Sequence, residues 1–439
     1  MDSTSDASPT SPRRESVWLD WQWYIVLVVA LLIRGGAGYL QYENFSQDPD
    51  SYRLLANNIL RIHSFTLDDP AEPTAFRPPL YPLLLAVTSI SRHVLPEEVL
   101  LLHIALGVVT AVLTFFWAIQ MGLERWRSVA GLLVAIDPIL LNQSTLVMTE
   151  TLATCLAILT LVAVSSLANK HLSSDDARGS RDATISAVNI AGAIGLAIFC
   201  RPTFLVWATL LPIAVWFCCR GWKLRISSVL AYGLMLLFLL APWVVRNMLV
   251  FESPVLGTTH GGHTLLWGNN ESYYEYLRSG KTPVWDNTEF HQRFARRNPY
   301  LGTSASELAR DKAAYREAID TMKQNPDMAA YSVLVRFTMF WRLLPNALSQ
   351  DESGKRTMVR YAIGAWYLAQ FALVIAGLFA IGKNLRKPGW IAALMLLASF
   401  TLVHLFFWSN MRMRSPLVPI LAVLACAGIE LIWNRLTKR

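Results

Sequence analysis

Nine ionisable residues stand close to the ends of long apolar segments, where membrane proteins carry few charges. They are Arg34, Asp48, Asp50, Arg77, Glu150, Arg201, Arg246, Arg412 and Arg414. An ionisable side chain at membrane depth costs about 3 kcal/mol on insertion scales, so such residues commonly serve a binding or catalytic site. The nine residues come from at least six segments, and a fold that gathers them at one membrane face would build such a site.

Carboxylates beside arginines suit the transfer of a group from a lipid phosphate. Arginine binds phosphate through a rigid fork of donors, and a carboxylate can accept the proton of a hydroxyl nucleophile. A lipid phosphate lies at the headgroup level, and as a leaving group it needs its charge stabilised more than it needs a proton. The residue types therefore predict transfer from a lipid phosphate to an acceptor at the membrane surface.

The elements that would position these residues are membrane-spanning helices. Hydrophobic residues make up 54% of the 439 residues and mean hydropathy is +0.35, which is unlike a soluble enzyme. The apolar segments lack the two-residue alternation of a transmembrane barrel. We expect an all-α polytopic membrane protein with about ten spans. The predicted spans are residues 23–40, 97–121, 128–144, 148–169, 185–200, 203–219, 226–245, 360–382, 389–408 and 415–433.

Basic residues predict the orientation of the chain. Lysines and arginines are concentrated in the short connections on one side of the predicted spans, as at Arg125, Arg127, Lys223, Arg225 and Lys387. By the positive-inside rule, both termini are predicted to be cytoplasmic. The same residues account for most of the net charge of +8, so no nucleic-acid partner is expected.

This orientation divides the chain into four parts. Residues 1–22 are polar and are predicted to form a disordered cytoplasmic tail, followed by a retained helix and not a cleaved signal. Residues 23–245 form an N-terminal transmembrane core with an outer catalytic loop at 41–96. Residues 246–359 form an outer-face loop with interfacial helices, and residues 360–439 form the C-terminal transmembrane helices.

The second outer loop opens with a glycine-rich stretch, "GTTHGGHTLLWGNN", at residues 257–270. His260 and His263 could bind a metal ion, but no third ligand stands nearby, which disfavours that interpretation. Gly261 could present its backbone amide to a phosphate or could simply form a turn, and the turn is the safer interpretation. Asn269 could line a sugar site.

Two later segments of this loop are predicted to be helical. Ser304 and Glu307 have the spacing of a capping box, which predicts a helix beginning at that point. Residues 328–344 are predicted to form an interfacial helix, since an additional span there would reverse the charge bias of everything after it.

Structural roles compete with functional ones at several positions. Asp48 and Asp50 could both be N-caps of a helix beginning near Tyr52, and Asp50 is the nearer cap, which favours Asp48 for catalysis. Glu150 could be an acid in the first turn of a helix. Three arginines could extend to anionic headgroups: Arg77, Arg201 and Arg246.

Several stretches, taken in order, resemble a known group of membrane enzymes. They are "DPDSYRLLANNIL…FRPPLYPLLLA", "LVMTETLATCL", "RPTFL", "APWVVRN", "THGGHTLLWGNN" and "RMRSPLVPILAVLA". Together they resemble polyprenyl-phosphate-sugar-dependent glycosyltransferases of the GT-C superfamily, on the branch of protein O-mannosyltransferases, lipid A aminoarabinose transferases and RgtA/B/C/D-like proteins. The resemblance runs from about residue 34 to the C-terminus. A "WWD" signature is absent, which argues against an oligosaccharyltransferase.

The resemblance implies a GT-C-like fold and an activity. The enzyme would transfer a hexosyl or pentosyl residue, with inversion, from a polyprenyl-phosphate carrier to a hydroxyl of a glycan, lipid or protein acceptor. The reaction would take place on the outer face of a bacterial inner membrane, among membrane lipids.

The resemblance also implies roles for individual residues. Asp48 would be the catalytic base. Relatives often carry Asp-Glu where this chain has Asp48-Pro49, so Asp50 is the second candidate and a divalent metal cofactor is left open. The donor phosphate and sugar would be bound by Arg77, Glu150, Arg201, Arg246, His260, Gly261, His263, Asn269, Arg412 and Arg414.

Two other functions are compatible with an apolar chain of this kind. A transporter or flippase of an anionic lipid or sugar tends to have ionisable residues near the midplane and repeated halves. Here the charges are predicted at one face and no repeat is evident, so we favour transfer. A non-catalytic scaffold that binds polyprenyl lipids would leave the carboxylates unexplained.

Overall fold

The computed structural model describes residues 21–67, 72–171, 177–280, 285–346 and 352–437. Within these ranges the chain is helical and contains no β-strand. Residues 1–20 of the predicted N-terminal tail lie outside the described part.

Ten helices form the first part of the chain. They are α1 (Gln22–Leu40), α2 (Tyr52–Ile62), α3 (Leu80–Thr88), α4 (Pro96–Gln120), α5 (Arg127–Ala135), α6 (Pro138–Gln143), α7 (Glu150–His171), α8 (Ala177–Cys200), α9 (Phe204–Cys218) and α10 (Trp222–Phe251). Short 3-10 turns stand at Tyr42–Ser46 and Glu124–Trp126.

Eight helices follow in the second part. They are α11 (Gly261–Gly268), α12 (Glu271–Ser279), α13 (Thr288–Arg297), α14 (Ser304–Gln324), α15 (Pro326–Phe340), α16 (Gly354–Ile381), α17 (Pro388–Phe406) and α18 (Val418–Thr437). Two 3-10 turns, Gly382–Arg386 and Met411–Leu417, precede α17 and α18.

Eight helical segments of the described chain are long and apolar enough to cross a membrane. They coincide with eight of the predicted spans: α1, α4, α7, α8, α10, α16, α17, and α18 with the 3-10 turn before it. A further predicted span, residues 203–219, corresponds to α9, which is apolar but only 15 residues long.

The prediction of one continuous span at residues 128–144 is wrong. The segment is broken between α5 and α6 at Asp137-Pro138, because proline has no backbone N–H and its ring clashes with the preceding helical turn. The Oδ1 atom of Asp137 accepts the backbone N–H of Leu140 at 3.0 Å and so caps α6.

Side-chain contacts group the helix ends into two sets. At one end of the bundle Arg127 Nε donates to Gln22 Oε1 at 3.2 Å, and Arg125 lies 4.4 Å from the ring centre of Trp433. At the other end the starts of α7 and α18 meet the end of α8, through contacts of Glu150 with arginines described below. These contacts place Arg125 and Arg127 in one set and Glu150, Arg201 and Arg412 in the other, and the orientation in the membrane stays a prediction.

The last helix is held against α16 by two glycines. A Cβ atom added at Gly377 would overlap the backbone oxygen of Leu424, and one added at Gly428 would overlap that of Leu373. Small residues at a helix interface allow such close approach of backbones in membranes. α18 is therefore fixed along the bundle, with its first turns fully buried.

Helices α11–α15 lie outside the candidate spans and form a hydrophobic core of their own. This core includes Tyr273, Tyr274, Phe290 and Phe294. The predicted helix at 304 is present as α14, but the predicted capping box is not. Thr303 is the N-cap and its side chain accepts the N–H of Ser306.

The helix predicted at 328–344 is present as α15, with 15 residues, and its interfacial position stays a prediction. It exposes the apolar side chains of Leu334 and Phe337 and fully buries Arg336. Arg336 donates to backbone oxygens of Leu405 (2.6 Å) and Gly268, so it joins α15 to α17 and α11. Burial lowers the pKa of Arg336 to about 10, and its guanidinium stays charged at neutral pH.

Candidate functional site

The strongest cluster of charges in the described chain is centred on Glu150, the first residue of α7. Glu150 is 2% exposed. Its Oε1 atom lies 3.1 Å from Arg201 Nη1 and 3.6 Å from Arg412 Nε, whereas its Oε2 atom is buried with no hydrogen-bond partner among the described residues. One carboxylate thus faces two guanidinium groups, and the cluster keeps an excess positive charge.

The two guanidinium groups have weak acceptors on their remaining nitrogens. Arg201 Nη2 lies 2.9 Å from Met413 Sδ, and Arg412 Nη1 lies 3.0 Å from Met148 Sδ. A thioether sulfur is a poor hydrogen-bond acceptor, whereas a phosphate oxygen is among the best for arginine. The cluster is therefore suited to bind an anion at these nitrogens.

A second ion pair joins the two sides of the first outer loop. Arg77 Nη2 lies 2.7 Å from Asp50 Oδ1, and Arg77 Nε donates to the backbone oxygen of Asp50 at 3.0 Å. The guanidinium also faces the rings of Tyr52 (5.5 Å) and Phe76 (4.9 Å). These contacts fix Arg77 inside the protein and do not support its predicted extension to headgroups.

Asp48, and not Asp50, occupies the N-terminus of α2. Asp48 Oδ2 accepts the backbone N–H of Leu54 at 2.9 Å, while the N-cap residue Ser51 adopts a left-handed conformation (φ 60°) and makes no side-chain cap. Asp48 Oδ1 is buried and has no hydrogen-bond partner in the described chain. One oxygen of the Asp48 carboxylate is thus fixed by a hydrogen bond, and the other has no such bond within the described residues.

Tyr52 and Tyr81 connect these groups into one site. Their rings meet edge to face at 5.2 Å. Burial raises the pKa of Tyr52, which also experiences the charges of Arg77, Asp50, Arg201 and Glu150. Burial likewise raises the pKa of Tyr81, with Asp48 and Glu150 among the smaller contributors. Asp48, Asp50, Arg77, Glu150 and Arg201 therefore lie around two buried tyrosines, for which the sequence predicted no role in the site.

The glycine-rich segment lies beside this site and packs against α14. A Cβ atom at Gly261 would overlap the hydroxyl of Tyr315, and the N–H of Gly262 donates to Asp311 Oδ1 at 2.7 Å. The amide of Gly262 is thus already bonded, and the glycines allow close packing at the start of α11. This arrangement favours the structural interpretation of the two glycines.

Two histidines of the same segment are uncharged at neutral pH. Burial, together with Arg77, lowers the pKa of His260 well below its usual range, and its ring meets Phe76 at 4.5 Å. Burial lowers the pKa of His263 to about 4, with a smaller effect from His291. No group of three or more metal-ligating side chains was found within the described residues.

Two predicted site residues make contacts of a different kind. Arg246 donates to the backbone oxygen of Thr74 at 2.9 Å and so holds the first outer loop. Asn269 donates to the backbone oxygens of Leu265 (2.8 Å) and Phe406 (2.9 Å). Their roles in donor binding stay predictions that these contacts do not support.

Arg414 belongs to a separate buried network. It is fully buried, and its Nη1 donates to the backbone oxygens of Phe340 (3.0 Å) and Arg342 (2.6 Å). Its guanidinium lies 4.4 Å from the ring centre of Tyr367, whose hydroxyl donates to Asp137. A role in phosphate binding stays a prediction for Arg414, and its contacts favour a structural role.

Arg34, on α1, is buried against α4 and α5. Its Nη2 donates to the backbone oxygen of Val134 at 3.3 Å, and a Cβ atom at Gly107 would overlap its side chain. Arg34 therefore packs between helices.

No protein-family model and no curated protein matches the sequence. Among solved structures, the archaeal oligosaccharyltransferase AglB from Archaeoglobus fulgidus, in complex with an inhibitory peptide and a dolichol-phosphate, is similar with a TM-score of 0.58 and 16% identity. The similarity covers 96% of this chain and 51% of AglB.

Two further comparisons give related results. The Archaeoglobus fulgidus oligosaccharyltransferase tethered with an acceptor peptide has a TM-score of 0.57 at 13% identity, covering 96% of this chain and 51% of that one. ArnT from Cupriavidus metallidurans bound to undecaprenyl phosphate has a TM-score of 0.43 at 12% identity, covering 94% of this chain and 78% of ArnT. The last score is too low to support an argument.

The chain spans about half the length of the oligosaccharyltransferase structures that it matches. At these identities the similarity concerns the fold. The fold is the one that the sequence resemblance implies: this chain is an all-α membrane protein with a GT-C-like fold.

Proposed function

We propose that the protein is a membrane glycosyltransferase that transfers one monosaccharide from a polyprenyl phosphate to an acceptor hydroxyl on the outer face. The main observation in support is the pair Arg201 and Arg412, which share one buried carboxylate and each direct a further nitrogen at a thioether sulfur, a weak acceptor. The GT-C-like fold adds support, since the similar AglB structure holds a dolichol-phosphate.

The reaction would be a single displacement. Asp48 Oδ1, which is free of hydrogen bonds, accepts the proton of the acceptor hydroxyl as the hydroxyl oxygen attacks the anomeric carbon. The bond between that carbon and the phosphate oxygen breaks, and the electron pair leaves with the phosphate. Arg201 and Arg412 stabilise the added negative charge. Attack from the face opposite the phosphate inverts the anomeric configuration.

Asp48 is the better candidate for the base because Asp50 is already paired with Arg77. The hydrogen bond from Leu54 fixes the orientation of the Asp48 carboxylate and leaves one oxygen for the incoming proton. Asp50 would then fix Arg77 and the wall of the site.

The experiment is mass spectrometry of the lipids that co-purify with wild-type protein, Asp48→Asn and Asp50→Asn. We expect Asp48→Asn to retain a glycosylated polyprenyl phosphate that the wild type has consumed, and the mass of that lipid will distinguish a hexosyl from a pentosyl donor. Equal retention by wild type and Asp48→Asn would favour a transporter or scaffold. If no correctly folded form retains such a lipid, the proposed donor is wrong.

A further inference from the structure

A cavity of about 180 Å³ lies between the first outer loop and helices α13 and α14. Its apolar wall includes the aromatic rings of Phe76, Phe294 and Tyr300, and its polar wall includes Arg310 and Asp311. None of the lining residues belongs to a candidate membrane span. The cavity is thus formed by segments that lie outside the candidate spans, next to Arg77 of the candidate site.

The polar groups of the cavity can both donate and accept hydrogen bonds. One oxygen of Asp311 accepts the N–H of Gly262, and its side chain is only partly buried. Arg310 lies 5.9 Å from the ring centre of Phe294, so its guanidinium is held at the edge of the aromatic wall. Burial raises the pKa of Asp311 to about 6, and neutral His263, with a pKa of about 4, faces the same space.

Glu307 also lines the cavity, but its hydrogen-bonding capacity is used elsewhere. Its carboxylate accepts the hydroxyls of Thr74 (2.6 Å) and Thr259, and the backbone N–H of Ala75 at 3.0 Å. Glu307 therefore joins the two outer loops and sets the shape of the cavity, leaving recognition to Arg310, Asp311 and His263.

We propose that this cavity binds one sugar ring of the acceptor, which makes the acceptor a glycan or a glycosylated molecule. Aromatic faces and mixed donors and acceptors are the groups that bind a polar ring with apolar C–H faces. The cavity volume of about 180 Å³ is more than ten times the roughly 10–15 Å³ that one water needs on the same measure, so the cavity has room for a ligand of many atoms such as one sugar ring. This inference rests on the proposed function.

The position of the cavity assigns it to the acceptor and not to the donor. A polyprenyl phosphate must keep its phosphate at the membrane face, where Arg201 and Arg412 lie. Phe76 and His260, whose rings pack against each other, separate the cavity from that face. Phe76, which lines the cavity, is followed directly by Arg77, the ion-pair partner of Asp50, so the cavity adjoins the site on the side of the first outer loop.

The test is saturation-transfer NMR of methyl glycopyranosides with the full chain in lipid nanodiscs. We expect binding to wild type, and dissociation constants raised about tenfold in Arg310→Gln and Asp311→Asn, as for loss of a hydrogen bond to a charged group. Lys312→Gln is the matched control, because Lys312 is exposed on the same helix, and its affinity should equal that of wild type. Equal binding by all four proteins would overturn the proposal.

A second arm distinguishes the acceptor from the donor. Asp48→Asn loaded with its retained lipid should bind the glycosides as well as unloaded wild type does. Loss of binding in the loaded variant would mean that the donor sugar fills the cavity, which overturns the acceptor assignment. If lipid retention succeeds but no glycoside binds to wild type, this inference fails and the proposed function stands. If glycosides bind but no lipid is retained, the proposed function fails.

Discussion

Asp48 and Asp50 are two residues apart, yet they have different partners. The sequence predicted that the carboxylates of this loop would meet arginines, and Asp50 meets Arg77. The sequence also favoured Asp50 as the cap of α2, because Asp50 is nearer to the start of that helix. This prediction is wrong, since Asp48 accepts the N–H of Leu54. Ser51 has a positive φ, and this local turn directs Asp48, and not Asp50, to the N–H groups of α2. Sequence spacing alone does not reveal a left-handed residue that is not glycine.

At the residue scale, the proposed phosphate site predicts a specific loss of lipid affinity. Replacing Arg412 by Gln removes a charged donor beside Glu150, and we expect undecaprenyl phosphate to bind at least about tenfold more weakly. Arg356→Gln is the control, since Arg356 is exposed at the start of α16. Isothermal titration in nanodiscs measures both. Unchanged affinity in a folded Arg412→Gln protein would contradict the proposed role.

At the element scale, the helix α14 was predicted correctly, but the hydrogen-bond partners of Glu307 were not. The pattern of Ser304 and Glu307 suits a capping box, whereas in the structure Thr303 caps the helix and Glu307 bonds two loops. The partners Thr74 and Ala75 precede Glu307 by more than 230 residues. A local sequence pattern carries no information about partners so distant in the chain.

This contact gives a prediction about the two outer loops. We expect Glu307→Gln to weaken their attachment by about 1–3 kcal/mol, because two hydroxyls and one amide lose a charged acceptor. Hydrogen exchange followed by mass spectrometry should then report faster exchange at residues 72–76. Glu317→Gln, on the more exposed side of the same helix, should leave that segment as protected as in wild type.

The glycine contacts of α16 and α18 give a prediction about helix packing. A methyl group at Gly428 would overlap a backbone oxygen, which cannot move aside as a flexible side chain can. We expect Gly428→Ala to lower the thermal unfolding temperature by several degrees, since overpacking costs about 1–3 kcal/mol. Gly233→Ala is the control, because a Cβ atom there meets open space. Equal unfolding temperatures for the two variants would show that α16 and α18 can separate at no cost.

At the scale of the whole molecule, the sequence predicted the class of fold and most of the spans. Hydropathy identifies helices that are long and apolar enough to cross a membrane, and eight such segments agree with the structure. It could not detect the interruption at Asp137, since apolar residues continue on both sides of it. Hydropathy also could not place Arg414. Its position in a buried network, and not in the site, depends on contacts between α15, α16 and the start of α18.

Membrane orientation is the prediction that belongs to the whole molecule. All five native cysteines are buried, so new cysteines can be introduced without removing them. A membrane-impermeant maleimide applied to intact cells should label Lys312→Cys on α14 and should not label Lys223→Cys at the start of α10. Labelling of Lys223→Cys alone would reverse the proposed orientation and would place the candidate site in the cytoplasm.

The break between α5 and α6 has a consequence for how the chain is made. Asp137 is joined to Tyr367, which is synthesised 230 residues later, and this takes roughly 10 to 50 s at ordinary rates of translation. During that interval the nearby chain already supplies the N–H of Leu140 as a donor to the Asp137 carboxylate. The buried network of Asp137, Tyr367 and Arg414 can therefore form only after the helices that carry Tyr367 and Arg414 have been synthesised.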